Sequence, residues 1–204
     1  MIDKHRVFDV PLIDQTTYDG YVSGAGGYLC SAACLTMVLQ YFLESERVDY
    51  DTIANNLIHE GYLDTRGLLS GDYLERFVCQ YLDKYPLIAK YSNKSFNAEY
   101  LAKQIAKGKL VIANVPNHCT LITGYKVSEA GNLVFHVNDP FREHWQPDAQ
   151  NAVLSNEWVS ARDLQNIWEG RHTLFSPDFL RFSYTYCFCR RVIRIIRRFV
   201  ERAA

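Results

Sequence analysis

The stretch GAGGYLCSAACLTMVLQYF, residues 24–42, decides the fold, because a glycine-rich loop runs directly into a cysteine and an apolar segment. Apolar residues at nearly every position after Cys30 predict a helix over residues 30–44 that is buried on most sides. Cys30 then lies at the helix N-terminus, where backbone N–H groups and the helix dipole stabilise a thiolate. This makes Cys30 a candidate nucleophile. Alternatively, Cys30 and Cys34, one turn apart, are two small buried hydrophobic side chains.

The composition predicts one domain. The chain has 204 residues, 48% of them hydrophobic and 14% aromatic, which suffices for one well-buried core and is short for two. A net charge of −1 argues against nucleic acid as a partner. The first residues, MIDKHRVFDV, are not a secretory signal, no run of 18 apolar residues occurs, and the six cysteines are dispersed. These features favour a cytoplasmic protein, with export by a non-classical route as the alternative.

Helical periodicity precedes strand periodicity along the chain. Helices are predicted at residues 30–44, 46–61, 71–85 and 97–108, and strands at residues 109–116, 118–127 and 132–140. The second helix has Asp51 near its cap, and the last two strands form an antiparallel hairpin. Residues 155–170, with Trp158, return to a helical pattern, and residues 171–176 predict a further strand. The fold class is therefore α+β.

Two polar residues at strand ends supply a base and its partner. His118 begins the strand of residues 118–127, and Asp139 ends its antiparallel neighbour, so both should lie at the same edge of the sheet. A carboxylate there holds the imidazole in one tautomer and leaves the other nitrogen to take the proton of Cys30. Taken singly, His118 could be a surface residue, and Asp139 could form a turn before Pro140.

Gln15 completes the candidate site. It closes an extended segment predicted at residues 7–15 and could donate to an oxyanion together with the backbone N–H of Cys30. Alternatively, Gln15 is a solvated surface residue. The order Gln15, Cys30, His118, Asp139, with a helix and strands in suitable places, favours the catalytic interpretation of all four.

Other polar residues suit structural roles better. Asn138 and His136 should point to the face opposite Asp139, and Cys79 and Cys119 fall within apolar patterns typical of a core. We expect neither a cofactor nor a metal, because Cys30, Cys34 and His118 lack the ligand spacing of a zinc site.

Several motifs together resemble the papain-fold family of bacteriocin-processing, double-glycine-type peptidases and their stand-alone relatives. They are VPLIDQ (10–15), YLCSAACLTMVLQYF (28–42), KLVIANV (109–115), HCTLITGY (118–125), VNDPF (137–141) and WVSARDLQNIW (158–168). The resemblance implies a papain-like α+β fold in which the nucleophile helix packs on an antiparallel sheet. It also implies that Cys30 is the nucleophile, His118 the general base, Asp139 the third member and Gln15 the oxyanion-hole glutamine.

The chain is thus expected to be a cysteine peptidase over residues 1–185 that cleaves a peptide or isopeptide bond of a protein or peptide substrate. One alternative is an acyltransferase or transamidase that uses the same thioester. Another is a non-catalytic binding module with this fold, because Ser31 and Ala32 replace the Gly-Pro that usually follows the cysteine in the family.

The end of the chain has a different character. Residues 186–204 carry six arginines and one glutamate, and their pattern predicts a basic amphipathic helix. Such a helix binds an anionic membrane or an acidic partner, which would make the protein membrane-associated or suit a secreted effector. The alternative is that its apolar stripe packs on the body.

Overall fold

The computed structural model describes residues 5–20, 28–43, 48–64, 67–68, 72–81, 87–141 and 157–177. Within them the fold is a mixed assembly of helices and antiparallel sheet, as the sequence predicts. The predicted tail helix at residues 186–204 lies outside the described residues. Among the helices of the described part, none is long and apolar enough to cross a membrane.

Five helices are described, and each predicted helix of the first half has a counterpart. They are α1 Cys30–Leu43, α2 Tyr50–His59, α3 Tyr73–Tyr81, α4 Ala98–Ala106 and α5 Ala161–Asn166. Helix α1 is buried along most of its length and packs against α2 and the sheet. Asp51, predicted near the helix cap, lies in the first turn of α2. The helix begins after Asp49, whose carboxylate accepts from the backbone N–H of Thr52 at 2.8 Å.

The strands form a large antiparallel sheet in the order β4-β9-β5-β6-β7-β8, with β1 also on β6, and a small hairpin of β2 and β3. Their bounds are β1 His5–Val7, β2 Leu63–Asp64, β3 Gly67–Leu68, β4 Leu87–Asn93, β5 Leu110–Val115, β6 His118–Val127, β7 Leu133–Asn138, β8 Glu157–Ser160 and β9 Arg171–Pro177. The predicted β6–β7 hairpin is present, with Leu121 opposite Asn138.

Strand β6 is the centre of this arrangement. One of its edges pairs with β5 as far as Ile122 and then with β1 from Gly124 onward, and its other edge pairs with β7. Helices α1 and α4 both pack against β5 and β6. The site-bearing strand is therefore held by neighbours on both edges.

The second half contains the main differences from the sequence analysis. Trp158 lies in β8 and not in a helix, because residues 157–160 pair with the free edge of β7, where Trp158 faces His136. The helix begins only after Ser160, whose hydroxyl accepts from the N–H of Asp163 at 3.1 Å.

Two further segments depart from the predictions. Strand β4 was not predicted, and it pairs with β9 along its whole length. The extended segment expected at residues 7–15 contributes only the end of β1 and a short 3₁₀ helix at Gln15–Thr17. Cys79, expected in the core, is exposed on α3.

Candidate active site

Cys30 is the first residue of α1 and is partly exposed. Buried Leu29 precedes it, and the Leu29 carbonyl oxygen accepts the first intrahelical hydrogen bond, from Ala33 at 2.9 Å. The N–H groups of the first helical turn, including that of Cys30, have no acceptor within the helix, so they remain available to an anion. The apolar segment thus buries the helix and presents one thiol at its positive end.

His118 is the first residue of β6 and directly follows a tight turn that joins β5 to β6. Pro116 and Asn117 form the turn, and Asn117 adopts a left-handed φ of 56°, a conformation that asparagine tolerates better than most residues. His118 Nε2 lies 2.8 Å from Asp139 Oδ1. Because an ionised carboxylate can only accept, Nε2 carries the proton and Nδ1 is left for Cys30.

Asp139 is fixed before any substrate binds. It is 1% exposed, and Oδ1 also accepts from the backbone N–H of Phe141 at 2.9 Å. The structure therefore brings together His118 and Asp139, which the sequence analysis placed at the same edge of the sheet.

The pKa values of Cys30 and His118 move in opposite directions. The pKa of Cys30 lies well below its ordinary value of 9.0, because hydrogen bonds from the side chain of Cys119 and from His118 outweigh the effect of burial. Burial lowers the pKa of His118, but hydrogen bonds to Asp139 and Cys30 outweigh it and raise the pKa from 6.5 to about 10. These opposite shifts favour a thiolate and an imidazolium over two neutral side chains.

Cys119 is a member of the site that sequence reasoning missed. It is buried, at 4% exposed, as a core residue would be, but it also lines the cleft that contains Cys30 and His118. Hydrogen bonding to Cys30 and burial raise the pKa of Cys119, while burial raises the pKa of Cys34. The negative charge of the three thiols therefore resides on Cys30. Its place next to His118 was the signal that could have identified Cys119.

Gln15 is a buried residue, so its interpretation as solvated surface is wrong. It is 1% exposed, its backbone N–H donates to the carbonyl of Pro140 at 2.7 Å, and its own carbonyl accepts from the Tyr50 hydroxyl at 3.0 Å. The 3₁₀ helix that begins with Gln15 packs against α1. These contacts anchor Gln15 between the Asp139 turn and the nucleophile helix.

Cys30 and His118 open into a cleft with a volume of about 560 Å³. The apolar part of its wall consists of Tyr28, which is 48% exposed, Leu68 and Val115. The cleft is also lined by an ion pair, in which the Arg171 guanidinium lies 2.7 Å from Glu169 Oε2. Sequence reasoning gave these residues no role, because the β2–β3 hairpin and the turn before β9 meet at the cleft only in the folded chain.

Asn138 and His136 have structural contacts, as expected. Asn138 Nδ2 donates to the carbonyl of Val10 at 3.3 Å, and His136 Nδ1 lies 2.6 Å from the hydroxyl of Thr123. Asn138 therefore ties the N-terminal segment to the end of β7, and His136 joins β7 to β6.

Comparisons with known proteins agree with this geometry. Solved structures with the same fold include a double glycine motif protease from an AMS/PCAT transporter, in complex with the leader peptide. It is 18% identical, with a TM-score of 0.52, over 84% of this chain and 94% of that one. Another is UfSP from C. elegans, which is 13% identical, with a TM-score of 0.54, over 86% of this chain and 35% of that one. Both support the papain-like cysteine peptidase fold.

A search of curated proteins finds no match. The model of the Peptidase_C39 like family, in contrast, matches residues 7–170, which include Gln15, Cys30, His118 and Asp139. The match covers most of the chain and extends from β1 to the turn before β9. The chain therefore belongs to the Peptidase_C39 like family of cysteine peptidases.

Proposed function

We propose that this protein is a cysteine peptidase that hydrolyses a peptide or isopeptide bond through a thioester on Cys30. The observation that carries the proposal is the position of His118, which is hydrogen-bonded to buried Asp139 and lines the same cleft as Cys30. A peptide or protein substrate agrees with the leader peptide in the related double-glycine protease structure.

In the first half of the reaction, the Cys30 thiolate attacks the carbonyl carbon of the scissile bond. The oxyanion that forms accepts hydrogen bonds from the backbone N–H of Cys30 and from the Gln15 side chain. The His118 imidazolium then gives its proton to the amine that leaves, which completes the thioester. Asp139 keeps the imidazole oriented and stabilises its cation throughout.

In the second half, water attacks the thioester. Neutral His118 accepts a proton from the water, the oxyanion forms again in the same place, and the Cys30 thiolate departs. An acyl transfer enzyme would share every step except this one, because an amine would replace the water. The cleft around Cys30 is open, and its polar wall of Asn114, Glu169 and Arg171 leaves water free access.

A peptide library with mass readout tests the proposal in the full chain, in water enriched in heavy oxygen. We expect cleavage products that carry one heavy oxygen in their new carboxylate, and complete loss of cleavage in Cys30→Ala. The matched control is Cys34→Ala, which removes a buried thiol one helical turn away. This variant should retain cleavage.

Two outcomes would overturn the proposal. Amine-bearing products without heavy oxygen would identify a transferase. If Cys30 is alkylated with the pKa of an ordinary thiol, and the folded wild-type protein cleaves nothing, the protein is a non-catalytic module.

A further inference from the structure

The active-site cleft has a charged wall that takes no part in the proposed bond-breaking steps. Glu169 and Arg171 line the same cleft as Cys30 and His118, and the Arg171 guanidinium donates to Glu169 Oε2 at 2.7 Å. We propose that Arg171 is a specificity-determining residue, which binds a carboxylate of the substrate within the cleft while Glu169 positions its guanidinium. The proposal rests on the proposed function, since it names the substrate class of the same site.

The size of the cleft brings the substrate against this wall. A volume of about 560 Å³ is within the range of small-ligand sites, so the cleft holds only a short part of a peptide. A substrate with its scissile carbonyl at Cys30 therefore places neighbouring residues against the cleft walls. Among the described residues that line the cleft, Glu169 and Arg171 are the charged side chains outside the proposed catalytic group. Selection by charge in this cleft thus depends on the pair.

The segment that carries the two charges is anchored by the main chain. The Glu169 N–H donates to the Asn114 carbonyl at the end of β5 at 3.3 Å, and the Gly170 carbonyl accepts from the Lys94 N–H at 2.7 Å. Gly170 adopts a left-handed φ of 81°, a conformation that glycine adopts readily. Arg171 then begins β9 and pairs with the end of β4. A binding group on a strand is held more precisely than one on a loop.

The residues on either side of the pair are fixed outside the cleft. Trp168 and His172 line a different cavity, and their ring centroids lie 5.2 Å apart. The Trp168 ring also contacts Phe96, with centroids 5.3 Å apart, and its indole N–H donates to the Lys94 carbonyl at 3.1 Å. The segment therefore presents its two charged residues to the cleft and the residues that flank them to the body.

The geometry of the pair favours a substrate carboxylate over a basic group. Arg171 is the more accessible partner, with 45% of its side chain exposed against 31% for Glu169. A guanidinium has five N–H donors in a planar fork, and within the described chain the Arg171 side chain makes one hydrogen bond, to Glu169. The remaining donors match the two oxygens of a further carboxylate, whereas the Glu169 charge is already paired.

Matched peptides test the proposal in the full chain. A peptide that the wild-type protein cleaves is made with Glu or the isosteric Gln at each position near the scissile bond, and with a free or an amidated C-terminus. We expect kcat/KM to favour the carboxylate at one position by roughly tenfold, the lower end for a hydrogen bond to a charged group, because Arg171 is partly exposed. In Arg171→Gln this preference should disappear.

The two peptide series distinguish the source of the carboxylate. A preference that follows Glu over Gln identifies an acidic side chain, and one that follows the free C-terminus identifies the end of the chain. Either supports the proposal if Arg171→Gln abolishes it. The matched control is Arg76→Gln, which removes an exposed ion pair to Asp72 on α3, away from the residues that line the cleft. This variant should keep the preference.

A second measurement needs no cleavage. Cys30 is alkylated with iodoacetate, which carries a carboxylate, and with neutral iodoacetamide, and the ratio of the two rates is compared between proteins. We expect the ratio to fall in Arg171→Gln and to stay at its wild-type value in Arg76→Gln. The iodoacetamide rate alone shows whether Cys30 has kept its reactivity in each variant.

Failure of this proposal and failure of the proposed function give different results. Cleavage without a carboxylate preference, or with a preference that survives Arg171→Gln, overturns the role of Arg171 and leaves the peptidase in place. If the folded wild-type protein cleaves nothing, the proposed function fails, and an alkylation ratio unchanged in Arg171→Gln overturns carboxylate binding as well.

The Arg171 variants should fold, because an ion pair this exposed contributes little to stability. Thermal melting checks each of them. Arg171→Lys is a second variant should Arg171→Gln fail to fold. It keeps the charge but loses the planar fork, so it should retain only part of the preference. A full wild-type preference in Arg171→Lys would overturn recognition by the fork.

Discussion

The backbone N–H of Gln15 donates to the carbonyl oxygen of Pro140, the residue that follows Asp139, at 2.7 Å. The Tyr50 hydroxyl donates a hydrogen bond to the carbonyl oxygen of Gln15 at 3.0 Å. Both hydrogen bonds use the main chain of Gln15, so they do not depend on the identity of its side chain. The proposed oxyanion donor can therefore be removed while these two contacts are kept.

Replacing Gln15 with alanine should lower kcat by roughly 10²–10³-fold, because one donor to the oxyanion is lost. Alkylation of Cys30 by a small reagent should keep its wild-type rate, since no oxyanion forms in that reaction. The matched control is Gln40→Ala, which removes a side-chain hydrogen bond to the Val48 carbonyl on the other end of α1. Steady-state kinetics that show equal losses in both variants would contradict the assignment.

Replacing Asp139 with alanine should lower kcat/KM by on the order of 10²-fold, because His118 loses the partner that orients it. Asp139→Asn should lose less, since an amide oxygen still accepts from Nε2 while the negative charge is gone. The pKa of His118, followed by NMR, should fall in both variants. Wild-type rates in the folded Asp139→Ala protein would exclude the role.

The pH profile of peptidase activity should be bell-shaped. Activity falls at low pH as the Cys30 thiolate is protonated, and this limb lies well below pH 9.0 because the pKa of Cys30 is lowered. Activity falls at high pH as the His118 imidazolium loses its proton, with a midpoint at about 10. The profile of kcat/KM measures both limbs in the free enzyme. A single acid limb near the ordinary thiol pKa would contradict an ion pair.

Cys119→Ala should move the acid limb to higher pH, because the thiol that donates to the Cys30 thiolate is gone. The rate of Cys30 alkylation against pH measures this shift without a substrate. Cys34→Ala removes a neighbouring buried thiol and should leave the limb in place. Identical titrations of Cys30 in wild type and Cys119→Ala would show that the hydrogen bond contributes nothing.

Gly124→Ala should destabilise the fold by about 1–3 kcal/mol, because a Cβ there would lie 2.7 Å from the Arg6 carbonyl oxygen and 2.9 Å from the Val7 Cα on β1. Gly131→Ala is the control, since its Cβ meets nothing within 4 Å and only its positive φ costs energy, roughly 1 kcal/mol. Urea unfolding should rank Gly124→Ala as the more destabilised. The reverse order would mean that β1 can move away from the added Cβ at little cost in free energy.

Much of this structure follows from local pattern. The apolar segment after Cys30 predicts α1, and the alternation on either side of residues 128–132 predicts the β6–β7 hairpin, which in turn brings His118 beside Asp139. These features depend on residues near in sequence. Local periodicity therefore suffices for the nucleophile helix and for the edge that holds the base.

What the sequence does not reveal depends on distant contacts. Residues 157–160 form a strand only because β7 offers a free edge, so the pattern around Trp158 was interpreted as helix. Residues 87–93 likewise form strand β4 by pairing with β9, which lies far along the chain. Cys119 looks like any core residue until α1 packs on β6 and brings Cys30 to it.

Strand β6 has backbone partners along both edges, with β5 giving way to β1 on one side and β7 on the other. Amides protected in this way exchange with solvent only when a large part of a fold opens. His118, the proposed base, thus begins a strand whose central part belongs to one of the slowest-opening units of the described chain, whereas Gln15 lies in a short 3₁₀ helix. Under mild denaturation we expect the proposed oxyanion donor to lose its position before the proposed base does.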